Sequence, residues 1–505
     1  MILSYFSALL TFDTLLALVI GVFVGLAVGA MPGLSATMCV ALLIPVSYRM
    51  DPIPAMIMLT SSYTAACYGG SFTAIILHTP GTPTNAVTAI DGYELTKKGQ
   101  GFKAIGVSSI ASGIGSLIGG FCLLFISPML ANVALKFSAA EYAVLTVFGL
   151  TIITSLTGES VIKGLMAGVF GLFMATIGID AITGYPRFTF GNVYLESGIQ
   201  LVPFIVGIFS FSQVLIITEN IFKGKKQIVQ EELKEATKGK LFPSLKEFFS
   251  IIPAILEGSV LGTVIGILPG VGGDVSTWVS YDVTKRLSKH KEEFGHGSIE
   301  GVAAAEASNN AVCGGSLIPM FTLGIPGSGA AAVLLSALMI QGLQPGYNLF
   351  TDRADTTYPI ILGYLVGSVL MCMVGLLLAR QISKVALIPL PYLATAIIAI
   401  SCVGSYAIRN AVFDVYMLVG CGFVGYIMKK TGFPAAPAAL GFVLGPILEK
   451  NLKRAVQLSR GVPMFQYYWN RPICRGLMIL IVVVLVAPVL LRLFKALQAH
   501  RAEKS

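Results

Sequence analysis

Apolar residues run through this chain in long stretches, and the stretches break repeatedly at one kind of place. Runs of roughly 17 to 25 apolar residues, long enough to cross about 30 Å of hydrocarbon, recur almost from end to end, about ten to twelve in all. They do not alternate with a period of two, as the strands of a membrane β-barrel would. The pattern predicts an all-α polytopic membrane protein with about 10–12 transmembrane helices. Helices are expected near 104–131, 138–156, 162–178 and 199–219.

Four runs are interrupted by a proline followed by glycine: Pro32-Gly33, Pro80-Gly81, Pro269-Gly270 and Pro326-Gly327. Proline removes a backbone donor and clashes with the preceding turn. An unpaired backbone group in hydrocarbon costs several kcal/mol, so a broken helix persists only inside protein or along a wet cavity. The breaks therefore predict discontinuous helices or re-entrant hairpins.

The breaks come in pairs. "GVFVGLAVGAMPG" at 21–33 matches "GSVLGTVIGILPG" at 258–270, with glycine at every fourth position in both. "CYGGS" at 67–71 matches "CGGS" at 313–316, "HTPGTPTNAV" at 78–87 matches "GIPGSGAAAV" at 324–333, and "TGYP" at 183–186 matches "TGFP" at 431–434. Four matches in one order divide the chain into a first transmembrane repeat, 1–220, and a second, 250–495. Residues 221–249, "IFKGKKQIVQEELKEATKGKLFPSLKEFF", form a basic cytoplasmic linker, and 496–505 a polar C-terminal tail. Lys97, Lys98 and Lys103 place the segment after the first hairpin in the cytoplasm, whereas its counterpart "QGLQPGYNLFTDRAD" has one Arg and two Asp. That asymmetry predicts inverted-topology repeats, the plan of many secondary transporters. Strict inversion would put the tail, with Arg501 and Lys504, outside, against its charge.

Composition agrees with the pattern. Of 505 residues 55% are hydrophobic and 12% charged, about half the charged share of a soluble domain. The net charge of +9 lies mostly in short loops, which reads as the positive-inside rule and not as nucleic-acid binding. The eight cysteines form no Cys-x-x-Cys pair and read as packing residues. The four histidines have no metal spacing. There is no G-x-x-x-x-G-K-[ST] motif, no nucleophile paired with a base, and no structural metal or organic cofactor site, so an enzyme and an ATP-driven pump are both disfavoured.

The candidate chemistry gathers at the breaks. Half-helix N-termini present free N–H groups and partial positive charge, which suit a carboxylate. Pro32, Gly33, Ser35, Thr37, Pro80, Gly81, Thr82, Asn85, Gly270, Pro326, Gly327 and Ser328 are the substrate-binding candidates. Ionisable groups at membrane depth are functional candidates by default. Asp274 follows the third break, and Glu306, Asn309 and Asn310 share one helical face. With His78, which could carry a proton, they are the candidates for coupling to Na⁺ or H⁺. The first hairpin, with His78, Thr84 and Asn85 where the second has Gly324, Ala330 and Ala331, should contact substrate more.

"GLAVGAMPGLSATMCVALLIP", "YGGSFTAIILHTPGTPTNAVTAIDGYELTKKGQGFKAIG", "FGHGSIEGVAAAEASNNAVCGGSLIPMFTLGIPGSGAAAVLL" and "GFPAAPAALGFVLGPILEKNLKRAV" together resemble the large membrane subunit of the tripartite tricarboxylate transporters, the TctA-like family. The resemblance implies a permease of the bacterial inner membrane, working with a small four-helix membrane subunit and a periplasmic substrate-binding protein. Its substrate would be a di- or tricarboxylate, citrate-like, taken up on a Na⁺ or H⁺ gradient. An uncoupled carboxylate channel or exchanger is the alternative on the same architecture. His78 stands where that family more often has Asn, and Ala305 where Pro is common. A trianion entering against 100 mV faces roughly 7 kcal/mol, which is why coupling is expected.

Overall fold

The computed structural model describes residues 2–156, 160–180, 183–223, 239–269, 272–385 and 387–484. Gly270, residues 224–238 of the linker and the tail 496–505 lie outside the described residues. The fold is all-α; among the described residues the one sheet is a two-residue pairing of Gly178–Ile179 with Pro186–Arg187. The helices that matter below are α1 (Phe12–Gly29), α2 (Ala36–Ser47), α3 (Pro52–Leu77), α4 (Ala86–Lys97), α5 (Gly101–Ala134), α6 (Ala139–Leu156), α7 (Val161–Ala175), α8 (Leu245–Ile267), α9 (Gly272–Leu287), α10 (Ile299–Leu323), α11 (Gly329–Ile340), α12 (Ala354–Leu377) and α13 (Ala435–Leu458).

Seven described helices are long and apolar enough to cross a bilayer, α1, α5, α8 and α12 among them. Shorter apolar helices include α2, α7 and α11, and α2 and α11 are short because each starts at a Pro-Gly break. α3 and α10 are long but carry too much hydroxyl and amide to meet that apolar criterion. They need not meet it, because residues 54–76 of α3 and 301–322 of α10 are all buried inside protein.

The chain forms two compact units. The first takes residues 1–134 and 200–427, and α3 and α10 are its centre. The glycine stripes explain how a centre so polar is closed. Gly21, Gly25 and Gly29 of α1 lie on Met58, Ser62 and Ala66 of α3, and Gly258, Gly262 and Gly266 of α8 lie on Ala304, Ser308 and Val312 of α10. A Cβ at any of the six would stand 2.3 to 2.9 Å from a backbone carbonyl oxygen, so each pair of helices meets backbone to backbone. α5 closes on α10 in the same way through Gly115 and Gly119, against Ala307 and Ala311.

α3 and α10 cross in opposite directions. Tyr63 bonds Ser316, and further along α3 the carbonyl of Cys67 accepts from Asn309, which is earlier on α10. Charge collects at one end of this unit. Lys103 pairs with Glu247 at 2.7 Å, and Lys98 donates to the carbonyl of His296 at 2.6 Å. The basic segment before α5, the start of α8 just past the linker and the loop before α10 therefore lie together. Ser244 and Glu247 form a reciprocal capping box there, which starts α8.

The second unit takes 135–199 and the chain from 428 onward. α13 is its spine, and α7 meets it where Gly171 and Gly441 leave no room for a Cβ. Arg187 and Lys453 bracket Asp180 and Glu449, and Arg471 pairs with Glu141 at 3.0 Å. The two TGYP-like motifs fall in this unit, with Gly184 at φ 70° and Gly432 at φ 74°.

Candidate functional site

Both hairpin breaks are built alike. α3 ends on His78 with φ 51°, and α10 ends on Gly324 with φ 72°, both left-handed. Each left-handed residue turns the chain back along the helix it has just left. Gly81 then donates to the carbonyl of Gly70 at 3.2 Å, and Gly327 to that of Ser316 at 3.3 Å. All three pairs of counterparts are 246 positions apart. A Cβ on Gly81 would stand 2.3 Å from the Gly29 oxygen, and one on Gly327 would stand 2.3 Å from the Gly266 oxygen. Only glycine lets a tip rest so closely on the end of a stripe helix.

A new helix starts at each tip. Ser328 caps α11 by accepting from the Ala331 N–H at 3.2 Å, and its hydroxyl bonds the Tyr63 hydroxyl at 2.9 Å. Thr82 bonds Thr84 at 2.8 Å and donates to the Asn85 side-chain oxygen, at the entry to α4. The other two breaks start α2 and α9. Ser35 caps α2, Thr37 is half-buried in its first turn, and beyond Pro32 the exposed Gly33 turns at φ 83°. α9 begins beside the first tip, with Gly273 against Thr84, while α2 packs on α11 of the second. Four helix starts thus form two crossed pairs, each joining one tip to the helix after the other repeat's Pro-Gly break. Pro326 is buried, and Pro80 and Pro269 are half-buried.

Beneath the first tip lies Glu306, fully buried on α10. Its Oε1 accepts from Asn85 Nδ2 at 3.0 Å and from Thr88 Oγ1 at 2.5 Å. Its Oε2 accepts from Ser108 at 3.2 Å and Ser112 at 3.0 Å, both on α5. Ser108 has a single hydroxyl proton and also bonds Ser71 Oγ at 2.8 Å, so Asn85, Thr88 and Ser112 are the donors given to this carboxylate alone. None of the described ion pairs includes it. Asn309 and Asn310 follow on the same face. Asn309 Nδ2 donates to the Cys67 carbonyl at 3.1 Å, and Asn310 Nδ2 donates to the Thr64 carbonyl and to Ser116 Oγ, each at 3.1 Å. The side-chain oxygens of both asparagines are buried without a partner.

The structure brings Asn85, Glu306, Asn309 and Asn310 together, with Gly81 and Thr82 just above. It does not bring His78 or Asp274 to the carboxylate. His78 is exposed and packs tilted against Tyr93, with ring centroids 4.7 Å apart and the planes at 35°. Asp274 is exposed in the first turn of α9, next to Gly273. Gly270 lies outside the described residues.

Sequence reasoning missed Thr88, Ser108, Ser112, Tyr63 and Asp91. A signal existed for two of them: Ser108, Ser112 and Ser116 stand four apart on an apolar helix, the spacing of Glu306 and Asn310. Asp91 reads as the start of a polar loop, yet it is buried in α4. Its Oδ1 accepts from the N–H groups of Gly295, Gly297 and Ser298 at 2.8 to 3.0 Å, and its Oδ2 from the Tyr281 hydroxyl at 2.8 Å. It ties the first hairpin's half-helix to α9 and to the start of α10. Asp91→Asn should lower stability by about 1–3 kcal/mol, because an amide group then faces donors. Thermal unfolding of the purified protein measures this, and Tyr281→Phe should cost less, since it removes one of four bonds.

The model of the family described as "Tripartite tricarboxylate transporter TctA family" matches residues 15–440, which include every part of the cluster. An uncharacterized 52.8 kDa protein in the TAR-I ttuC' 3' region of Agrobacterium vitis is 38% identical over 459 residues, 91% of this chain and 90% of that one. An uncharacterized protein in the TAR-II ttuC' 3' region of the same organism is 42% identical over 200 residues, 40% of this chain and 83% of that one. No solved structure matches. The match over most of its length makes this chain a multi-pass membrane component of a tripartite tricarboxylate transporter: it belongs to the TctA family.

Proposed function

We propose that this chain is the large permease subunit of a bacterial inner-membrane importer for a di- or tricarboxylate. A periplasmic binding protein delivers the substrate, a small four-helix subunit assembles with the chain, and a Na⁺ or H⁺ gradient drives uptake. The observation that carries the reading is the crossed pairing of helix starts at two glycine tips. Helix N-termini gathered in this way suit an anion with several carboxylates. Pro32, Gly33, Ser35, Thr37, Pro80, Gly81, Thr82, Asn85, Pro326, Gly327 and Ser328 are the proposed substrate contacts, with Gly270 between them in sequence.

An inverted repeat, 1–220 against 250–495, fits this function, and three observations support it. The stripe glycines recur at an offset of 237 and the residues they touch, with the tips, at 246; α3 and α10 run oppositely; and Tyr63 and Asn309, counterparts in α3 and α10, each bond the other helix. The basic linker and the Lys97–Lys103 segment then lie on the cytoplasmic side.

The test is uptake of labelled citrate into proteoliposomes holding this chain and its small subunit. Uptake should require the added binding protein and should collapse when the ion gradients are dissipated. Downhill flux indifferent to both gradients would instead support an uncoupled exchanger.

A further inference from the structure

The hydroxyls of the first tip are not free to point either way, because Glu306 sets the direction of a hydrogen-bond chain that ends on them. Oε1 of the carboxylate receives the Asn85 amide at 3.0 Å, and a carboxylate only accepts. The Asn85 NH₂ therefore faces Glu306. Its oxygen faces the other way, where Thr82 Oγ1 donates to it. A threonine hydroxyl has one proton. With that proton committed to Asn85, Thr82 meets Thr84 Oγ1, 2.8 Å away, only as an acceptor. The proton between the two threonines comes from Thr84.

The chain runs from the interior outward. Glu306 and Asn85 are fully buried, Thr82 is 3% exposed, and Thr84, its last member, is half-buried. Thr84 gives its one proton inward and keeps both acceptor positions of its oxygen. Among the described residues Thr82 is its one side-chain partner. The tip thus ends on an acceptor, not a donor. A carboxylate is acceptor-only, so it gains nothing from Thr84 and is repelled by its lone pairs. A group that donates is drawn to the same place.

The second tip does not repeat this. The Ser328 oxygen already takes the Ala331 N–H at 3.2 Å and bonds Tyr63 at 2.9 Å. Ser316 gives its proton to the Cys313 carbonyl at 3.0 Å, so in its contact with Tyr63 at 3.3 Å the tyrosine donates. Ser328 then donates to Tyr63 and is bonded on both its donor and its acceptor side. The counterparts of Asn85 and Glu306 are Ala331 and Thr60, so the carboxylate and amide that direct the chain belong to the first tip alone.

We propose that Thr84 reads a hydroxyl group on the substrate. Its oxygen accepts a hydrogen bond from the hydroxyl of a hydroxylated di- or tricarboxylate, and the carboxylates of the same molecule go to the helix starts. Thr84 is the specificity-determining residue, and Glu306, Asn85 and Thr82 are positioning residues that hold it in the accepting sense. This rests on the carboxylate-permease reading above and names which carboxylates the first tip takes.

The experiment is isothermal titration calorimetry on the purified full-length chain, without the binding protein, whose own selectivity would mask that of the tip. The probes are two matched pairs, citrate against propane-1,2,3-tricarboxylate and malate against succinate. The members of a pair carry the same carboxylates and differ by one hydroxyl. The wild type should bind the hydroxylated member about tenfold more tightly, as one hydrogen bond made or lost would give. Thr84→Val keeps the methyl that packs at Gly273 and removes the oxygen. It should bring the two members to within about twofold by weakening the hydroxylated one alone. Thr84→Ser keeps the oxygen and should keep the preference. The inference is overturned if the wild type binds both members of each pair equally, or if Thr84→Val retains the wild-type ratio or weakens both members alike. Binding of none of the four compounds would instead overturn the carboxylate-permease reading, and the inference with it.

Discussion

Gly81→Ala and Gly327→Ala should each cut carboxylate uptake by ten- to a hundredfold while the protein still folds. A new Cβ would meet a backbone carbonyl at 2.3 Å in both cases, the oxygen of Gly29 or of Gly266. Backbone packed at the end of a stripe helix cannot move aside as the end of a flexible side chain can. The tip must lift, and overpacking of this kind costs about 1–3 kcal/mol, a factor of about ten to a hundred in occupancy of the seated position. A lifted tip loses its bond to Gly70 or Ser316 and shifts the helix start that follows it. Folding should survive, because the tips are hairpin ends and the stripes that hold α1 on α3 and α8 on α10 are untouched. Gly420→Ala is the control. Nothing stands within 4 Å of its Cβ position, so uptake there should not change. If both tip variants transport at the wild-type rate, the tips are not where substrate binds.

The breaks, the stripes and the pairing of tips were legible in the sequence because glycine and proline act locally. Their meaning does not wait on what they later touch. Pro80-Gly81 and Pro326-Gly327 mark a turn-back wherever they occur inside an apolar run, and glycine every fourth position marks a helix face that can meet backbone. The helix expected at 138–156 is α6, and that expected at 104–131 is α5, extended by three residues at each end. Partners were another matter. Glu306 stands out as a carboxylate at membrane depth, but Ser108 and Ser112 are some two hundred positions away on another helix. A hydroxyl on an apolar helix is as easily a bond to its own backbone, as Ser109 shows by donating to Ile105. Asp91 was hidden for a related reason. "DGYELTKKGQG" has the composition of a loop, and only the amides of Gly295, Gly297 and Ser298 make it a buried anchor. His78 shows the converse. As the histidine beside a break it draws a proton-carrying role, yet its position is the left-handed residue that Gly324 supplies in the other copy. Asparagine tolerates that conformation better than most residues, which gives a conformational reason for its use there in the resembling family. The compact units report packing and the repeats report sequence correspondence, so the two divisions of the chain need not coincide.

Glu306→Ala should destabilise the protein far more than Glu306→Gln, and both should lose uptake. In the alanine variant Asn85, Thr88 and Ser112 lose their acceptor at once, while Ser108 still has Ser71. Each one that finds no new partner costs about 1–3 kcal/mol in a buried site. The two hydroxyls can turn toward the carbonyl one turn earlier on their own helices, as Thr60 and Ser259 do in this protein. The Asn85 amide cannot, since its oxygen is already held by Thr82. Asn85 is therefore the group left unsatisfied, and the entry to α4 loosens with it. Glutamine keeps one acceptor oxygen for Asn85 and Thr88 and presents its NH₂ to Ser108 and Ser112, whose hydroxyls can accept. Its cost should be about 1 kcal/mol, within the range of a single exchanged hydrogen bond. Thermal unfolding in detergent separates the two variants. Equal midpoints for alanine and wild type would mean that the carboxylate does not bridge α4, α5 and α10. Uptake should fail in the glutamine variant despite its near-normal fold, because glutamine keeps the shape and removes the charge. A glutamine variant that takes up citrate at the wild-type rate would assign Glu306 to packing alone.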